Sequence, residues 1–308
     1  MIILNFIRGF CMALADSVPG VSGGTIAFIL GFYDDFINSL NTLVSKDPWE
    51  EKKKALIFLI KLGFGWIVGL GLSVVFLSSI FNDHIYAISS LFTGLIIVAI
   101  PMIIKQEKDS IVGQYKNIIF TVIGITIVAL ITYFNPAAGS EGGLNLSVSG
   151  LSIGLCIFVF VAGMIAISAM VLPGISGSTL LLIFGLYTGI INAVKEFLTF
   201  NFEYFPILVI FGLGVLTGIV STIKIIKIEL KRHRSQTIYL ILGLMIGSLY
   251  AVFMGPTTLE VAKPAMNLSS FSFIFFIIGG ALILGLERLK VVFESKETKN
   301  ISKNRKGA

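Results

Sequence analysis

A succession of apolar runs, each about 18 to 22 residues long, recurs along nearly the whole chain between short polar loops. A helix of that length crosses a hydrocarbon core of about 30 Å. Apolar residues make up 56% of the chain and charged residues only 13%, where a soluble globular protein has about a quarter charged residues. The mean hydropathy is +0.96. The sequence therefore predicts an all-α polytopic membrane protein with a single membrane domain and no separate soluble domain.

The net charge of +6 does not indicate nucleic-acid binding, because Lys and Arg lie in loops and in the C-terminal tail rather than on one face. The two cysteines, Cys11 and Cys156, lie inside apolar runs without metal or redox spacing, so no metal or cofactor is expected. Residues 13–15 (Ala-Leu-Ala) are typical of a signal-peptidase site. However, Arg8 interrupts the apolar stretch and no basic residue precedes it, so we expect this segment to be retained.

An internal repeat divides the chain into two halves. A single offset of 154 residues aligns the segment from Val18 to Thr25 with the segment from Leu172 to Thr179, both of the form x-Pro-Gly-x-Ser-Gly-x-Thr. The same offset pairs Gly9 with Gly163, Gly31 with Gly185 and Tyr33 with Tyr187, and an offset of 149 pairs Gly63, Gly65, Gly69 and Gly94 with Gly212, Gly214, Gly218 and Gly243. The chain is therefore predicted to be a duplicated unit of about 150 residues.

Basic loops predict the orientation, because membrane-flanking loops rich in Lys and Arg stay in the cytoplasm. The basic segments are residues 46–54, 105–116, 224–234 and the tail from 288 onward, and the remaining loops, residues 82–84, 135–149, 201–204 and 255–267, are expected outside. Between the cytoplasmic segment 46–54 and the external loop 135–149 lie three apolar runs, Ala55–Phe81, Ile85–Ile104 and Ile118–Phe134. Between the external loop 201–204 and the cytoplasmic tail lie three more, Pro206–Ile223, Ile238–Met254 and Phe271–Leu286. Three membrane crossings in each half therefore connect loops on opposite sides. The N- and C-termini are then both cytoplasmic.

Each Pro-Gly motif joins two apolar arms that leave and return on one side of the membrane. The first hairpin, residues 1–44, opens to the cytoplasm, and the second, residues 151–197, opens outside. The predicted fold is thus two inverted-topology repeats, residues 1–134 and 150–290, each with a re-entrant hairpin and three transmembrane helices, followed by a basic cytoplasmic tail, 291–308. Many secondary transporters have this organisation and work by alternating access. Whether the hairpins stop midway or span fully is left open, although a first arm of about 15 residues, roughly 22 Å, favours stopping short.

The hairpin tips predict a phosphate-binding site. Pro-Gly indicates a turn, and the helix that resumes after it has unpaired N–H groups in its first turn. Such a helix start binds anions, aided by the positive end of the helix dipole. The candidate ligands are Ser22, Gly23, Gly24, Thr25, Ser176, Gly177, Ser178 and Thr179. Arg8 is a candidate charge partner for the phosphate, and Asp16 is a candidate carrier of a coupling proton.

Simpler interpretations exist for these residues. Gly, Ser and Thr also let transmembrane helices pack closely, although packing alone does not require a broken helix in both halves. Arg8 can snorkel to the headgroups, and Asp16 can cap the turn or pair with Arg8. Residues 20–24 fit G-x-S-x-G, the nucleophile elbow of serine hydrolases. The only histidines, His84 and His233, lie in loops predicted on opposite sides, which disfavours a hydrolase.

The segment from Ala15 to Thr25 and the matching segment from Leu172 to Thr179 resemble the signature of the DUF368 membrane family, whose members include polyprenyl-phosphate transporters. The resemblance covers essentially the whole chain. It implies that the protein is not an enzyme and carries undecaprenyl phosphate, the lipid carrier of cell-wall synthesis, from the outer to the inner leaflet of the bacterial cytoplasmic membrane. Met170 stands where a second copy of Asp16 would be, so proton or cation coupling through this position rests on one half only.

A lipid phosphate suits the predicted site, because the tips hold its head while its apolar tail stays in the bilayer. Two other functions are left open. A membrane phosphatase acting on polyprenyl pyrophosphate would also need an anion site, but only Asp16 lies near a tip to act as nucleophile, base or metal ligand. A transporter of a small soluble anion is the other, and a closed aqueous vestibule would favour it where a lateral opening favours lipid.

Overall fold

The computed structural model describes residues 2–16, 22–72, 78–134, 152–258 and 262–288 of the chain. Every regular element in these ranges is helical. In chain order the α-helices are α1 (Ile2–Asp16), α2 (Gly23–Ile29), α3 (Tyr33–Val44), α4 (Trp49–Leu72), α5 (Ser78–Gln106), α6 (Lys108–Ile111), α7 (Ile118–Tyr133), α8 (Ile153–Val171), α9 (Gly177–Ile183), α10 (Tyr187–Leu198), α11 (Phe205–Arg232), α12 (Arg234–Met254) and α13 (273–288). The expected all-α fold is confirmed for this part of the chain.

Within the described ranges, six helices are long and apolar enough to cross a membrane: α4, α5, α7, α8, α11 and α12. Five of them coincide with predicted crossings, and α13 coincides with the sixth. The other, α8, is a predicted hairpin arm. The predicted external loop 82–84 lies inside α5, which bends at His84 (φ −121°, ψ 27°). The predicted loop 135–149 and the predicted tail 291–308 lie outside the described residues.

Each return arm of the predicted hairpins consists of two helices rather than one. In the first half, α2 ends at Ile29 and α3 begins at Tyr33; in the second, α9 ends at Ile183 and α10 begins at Tyr187. Gly31 and Gly185 lie in the two breaks, each with φ 66°. Glycine adopts this left-handed conformation without the steric penalty of a Cβ atom, so the repeated glycine explains the repeated break.

The two halves use glycine in the same way to pack their first two long helices. A Cβ added to Gly65 on α4 would collide with the carbonyl oxygen of Phe6 on α1, and one added to Gly214 on α11 would collide with that of Phe160 on α8. The repeat offsets relate Phe6 to Phe160 and Gly65 to Gly214. The α1–α4 and α8–α11 pairs are therefore built alike, with two backbones in direct contact.

The other long helices pair between the halves. α5 packs on α13, where Gly94 has no room for a side chain beside the backbone of Phe276. α7 packs on α12, where Gly243 has none beside the backbone of Thr121. Since Gly94 and Gly243 are related by the offset of 149, each half supplies the same helix to a partner in the other half.

In two places, helix ends next to loops predicted on the same side of the membrane lie in contact. At the end assigned to the cytoplasm, the side-chain amide of Asn117 donates to the Ser235 hydroxyl over 2.8 Å. At the opposite end, the Tyr86 hydroxyl donates to the carbonyl of Pro264 over 2.9 Å. The helix directions are therefore consistent with the predicted loop sides.

The short helix α2 lies at the centre of the fold. All seven of its residues are buried, and its apolar side chains belong to the largest core cluster together with residues of α5 and α12. The start of α2, with residues 22–25 of the first motif, is thus held in the interior rather than at the surface.

Candidate functional site

Residues 22–25 of the first motif lie beside the second motif and form hydrogen bonds with the chain around it. The Ser22 hydroxyl lies 3.3 Å from the carbonyl of Met170 and 3.2 Å from that of Leu172, and donates to them. The N–H of Gly174 donates to the Thr25 hydroxyl over 2.8 Å. We call the first helical turns of α2 and α9, with their N-caps Ser22 and Ser176, tip 1 and tip 2. The contacts join tip 1 to the chain segment that precedes tip 2, and so connect the two halves.

At tip 1 the side chain of Asp16 takes the place predicted for an external anion. Its Oδ1 accepts a 2.6 Å hydrogen bond from the N–H of Gly23, and its Oδ2 accepts one of 2.9 Å from the indole of Trp66. The next N–H, that of Gly24, donates to the Ser22 hydroxyl over 3.1 Å. A negative group at a helix start is stabilised by the N–H groups and the dipole. Residues 17–21, including the Pro-Gly of this motif, lie outside the described residues.

Tip 2 has no such internal anion, because Met170 replaces the aspartate. The hydroxyls of Ser176 and Ser178 lie 2.8 Å apart and bond to each other, and Ser176 does not cap α9 with its side chain. Among the described residues, no acceptor takes the N–H groups of Gly177, Ser178 and Thr179. The donors that are satisfied at tip 1 are thus open at tip 2.

Two cavities adjoin the tips. We call them the tip-1 cavity, of about 450 Å³, and the tip-2 cavity, of about 260 Å³. Gly23, Gly24 and Trp66 line the first together with apolar side chains of α1, α3, α4, α8 and α11. The second is lined by Ser176, Gly177, Ser178 and apolar side chains of α8, α9 and α11. Asp16, Ile167 and Met170 line both, so the Asp16 carboxylate stands between the two cavities.

The other predicted ligands lie away from the cavities. Ser22 and Thr25 are buried beside residues 170–174, and Thr179 is half-buried; none of the three lines either cavity. Arg8 is 8% exposed; its guanidinium donates to Asn5 over 3.1 Å and lies 4.7 Å from the Phe32 ring centre. It precedes Asp16 by two helical turns, about 12 Å. The structure therefore does not bring Arg8 to the tips.

Trp66 is a site residue that sequence reasoning missed. Its indole N–H is a half-buried donor within an apolar span, where such a donor needs an acceptor. Asp16 is the only carboxylate in the first arm. Pairing the Asp16 carboxylate, as acceptor, with the indole N–H of Trp66, as donor, would have predicted this contact between α1 and α4.

A charged cluster at the end assigned to the cytoplasm also connects the halves. Arg234 at the start of α12 donates to both carboxylate oxygens of Glu107, over 3.0 and 2.6 Å, and to Asp34 on α3 over 3.1 Å. The forked guanidinium matches the carboxylate in a bidentate pair. This cluster attaches the return arm of the first hairpin to a helix of the second half.

No metal centre is evident in the described part of the chain, where no three His, Cys, Asp or Glu side chains are grouped to hold an ion. The functional groups near the tips are the Asp16 carboxylate, the hydroxyls of Ser176 and Ser178, and the open N–H groups of tip 2. These groups can hold an oxyanion and exchange a proton.

Comparison with known proteins gives a consistent result. A sequence model described as undecaprenyl phosphate translocase-like matches residues 12–270. The chain is 39% identical over 291 residues to the polyprenyl-phosphate transporter of Staphylococcus aureus, with 93% of this chain and 96% of that protein aligned. It is 30% identical over 316 residues to the polyprenyl-phosphate transporter of Vibrio cholerae, with 92% and 96% aligned. No solved structure matches the chain.

Proposed function

Because the chain belongs to the undecaprenyl phosphate translocase-like family, we propose that it is a multi-pass membrane protein that transports undecaprenyl phosphate. The direction is from the outer to the inner leaflet of the bacterial cytoplasmic membrane, with both termini in the cytoplasm. The observation that carries the proposal is the pair of cavities that adjoin the two tips and meet at Asp16. The phosphate head of the lipid passes from one cavity to the other while the isoprenoid tail remains in the bilayer.

The proposed framework is two inverted repeats with re-entrant hairpins. Its support is the repeated order of helices, the matching glycine contacts of Gly65 and Gly214, and the exchange of long helices between halves. In such a framework one repeat rocks against the other and opens the central site to each side in turn. The tip-1 and tip-2 cavities are then the two half-sites that alternate.

Tip 2 is the proposed first binding place for the phosphate. The open N–H groups of Gly177, Ser178 and Thr179 and the hydroxyls of Ser176 and Ser178 can donate to its oxygens. An anion at an unsatisfied helix start gains several hydrogen bonds in an apolar surrounding, where they are stronger than in water. Apart from these donors and Asp16, the wall of this cavity is apolar, which suits the first units of an isoprenoid tail.

Asp16 controls whether the phosphate can enter the tip-1 cavity. Its carboxylate already accepts the Gly23 N–H, so a phosphate at Gly23 and Gly24 meets a like charge at the same donor. Entry requires Asp16 to accept a proton or to turn away, and a proton taken from outside and released inside couples transport to the proton gradient. Beyond the tips, Arg8 is the proposed charge partner, two turns along α1.

Flipping of fluorescent undecaprenyl phosphate in proteoliposomes, read with a membrane-impermeant quencher, tests the proposal. We expect the protein to accelerate flipping and the double variant Ser176→Ala/Ser178→Ala to lose most of that acceleration. Ser221→Ala is the matched control, because among the described residues this α11 hydroxyl bonds only to carbonyls of its own helix. Uptake of inorganic phosphate without lipid flipping would instead identify a soluble-anion carrier, and release of phosphate from polyprenyl pyrophosphate would identify a phosphatase.

A further inference from the structure

Lys61 lies inside the apolar part of α4. It is the only charged residue from Ala55 to Leu72, and it lies seven positions after Lys54, which corresponds to about 10 Å along the helix. A cation at this depth is costly to insert, and it usually marks a function. Neither the tips nor their cavities use Lys61.

A groove on the outer surface of the α1–α4 pair surrounds this lysine. The groove has a volume of about 320 Å³ and is lined by Ile3, Phe6, Ile60, Lys61 and Phe64. Ile3, Ile60 and Phe64 are each at least 60% exposed. Exposed apolar side chains on an apolar spanning helix contact lipid chains, so the groove opens to the bilayer rather than to an aqueous cavity.

The ammonium of Lys61 is available to a ligand. No acidic residue lines the groove, and within the described ranges Lys61 has neither an ion pair nor a hydrogen bond. The flexible stem brings the charge toward the headgroup region. An anion that reaches a groove of this composition must itself carry apolar chains.

We propose that the groove binds an anionic phospholipid of the bilayer, with its phosphate on the Lys61 ammonium and an acyl chain along Phe6 and Phe64. These two rings lie 5.7 Å apart and form one wall for the chain. A basic side chain between transmembrane helices on the cytoplasmic side is a known arrangement for holding a lipid phosphate. The ligand class is therefore a glycerophospholipid with a net negative headgroup.

This lipid is a resident component rather than the transported cargo. Leu59, Leu62, Gly63 and Trp66 of α4 line the tip-1 cavity, whereas Ile60, Lys61 and Phe64 line the groove. The helix α4 thus separates the groove from Asp16. A lipid bound there stabilises the α1–α4 pair, which positions Asp16 against Trp66, and the inference depends on a membrane location but not on the identity of the cargo.

Thermal unfolding of the delipidated full chain in detergent tests the role of Lys61. We expect phosphatidylglycerol to raise the midpoint of thermal unfolding more than phosphatidylcholine does. In Lys61→Gln, this difference between the two lipids should fall by more than half. Lys61→Arg, which conserves the positive charge, should retain the difference between the two lipids. Lys53→Gln is the matched control, because Lys53 is exposed on the same helix outside the groove. An undiminished difference in Lys61→Gln would overturn the proposal.

Photo-crosslinking tests the same site in the unmodified protein, so it does not depend on a variant that folds. Phosphatidylglycerol with a photoreactive acyl chain should label peptides that contain Phe6 and Phe64. Excess unlabelled phosphatidylglycerol should reduce the labelling at least fivefold, and excess phosphatidylcholine should not. If undecaprenyl phosphate competes and phosphatidylglycerol does not, the groove is a cargo-docking site and the resident-lipid proposal is wrong.

Discussion

The hydroxyl oxygen of Thr25 accepts a 2.8 Å hydrogen bond from the backbone N–H of Gly174, 149 residues away. On its other side, Gly174 (φ 90°) lies against α12, where an added Cβ would come within 2.5 Å of the Leu244 carbonyl. The turn of the second motif is thus held between Thr25 and α12. Any motion of one half against the other must carry both tips together or break this bond.

Removing the Thr25 hydroxyl should destabilise the fold. Thr25→Val keeps the shape but leaves the buried N–H of Gly174 without an acceptor, which costs about 1 to 3 kcal/mol. Thr25→Ser should retain most of the stability. Thr179→Val, the repeat-related change, removes a half-buried hydroxyl with no hydrogen bond to the described residues and should have little effect. Unfolding in detergent measures all three, and equal losses for Thr25→Val and Thr179→Val would contradict the interlock.

Replacing Asp16 should uncouple transport from the proton gradient. Asp16→Asn retains an oxygen for the Gly23 N–H but can no longer exchange a proton. We expect the wild type to flip undecaprenyl phosphate several-fold faster when the outside is more acidic, and Asp16→Asn to flip at a rate independent of the gradient. Asp35→Asn, an exposed carboxylate on α3, is the control. A persistent response in Asp16→Asn would assign coupling elsewhere.

Introducing the missing acid at tip 2 should inhibit binding there. Met170→Asp places a carboxylate at the position that corresponds to Asp16, where it can occupy the open N–H of Gly177. We expect flipping to fall at least tenfold, because the internal anion competes with the phosphate. Met170→Leu, which conserves volume, should stay near wild type. Flipping by Met170→Asp at the wild-type rate would show that the tip-2 donors are not used.

The charged cluster should contribute modestly to stability and in a salt-dependent way. Arg234 is 41% exposed and Asp34 is 45% exposed, so solvent and salt screen their pair to below about 1 kcal/mol. Glu107 is 17% exposed and bonds bidentately, so Glu107→Gln should cost more than Asp34→Asn. Thermal midpoints at low and high salt measure this. The reverse order would mean that Asp34 dominates the contact.

The glycine contact between α1 and α4 should not tolerate a methyl group. Gly65→Ala places a Cβ against the Phe6 carbonyl, so the helices must separate, at a cost of about 1 to 3 kcal/mol. Gly71→Ala on the same helix has no atom of the described residues within 4 Å of its added Cβ and should be neutral or slightly stabilising. Unfolding midpoints of the two variants give the comparison. A neutral Gly65→Ala would mean that the backbones are not in contact.

The sequence predicts the repeated parts of the fold well, because these depend on local preferences. The offset of 154 relates α2 to α9 and α3 to α10 residue by residue, and Gly31 and Gly185 interrupt the arms at equivalent points. The break itself was not predicted, since an apolar arm with one internal glycine is also compatible with a continuous helix. Only the observed φ of 66° at both glycines shows that the chain turns there.

By itself, the sequence determined the apolar helices, the duplication and the two Pro-Gly motifs, because hydrophobic length and backbone preference are properties of short segments. Only the tertiary structure decided which backbone N–H groups at the two tips have no acceptor among the described residues. Asp16 accepts from Gly23 and Trp66 and not from Arg8, whose guanidinium donates to Asn5. These choices depend on distances between segments far apart in the chain, where one carboxylate can satisfy only the donors that packing brings within about 3 Å.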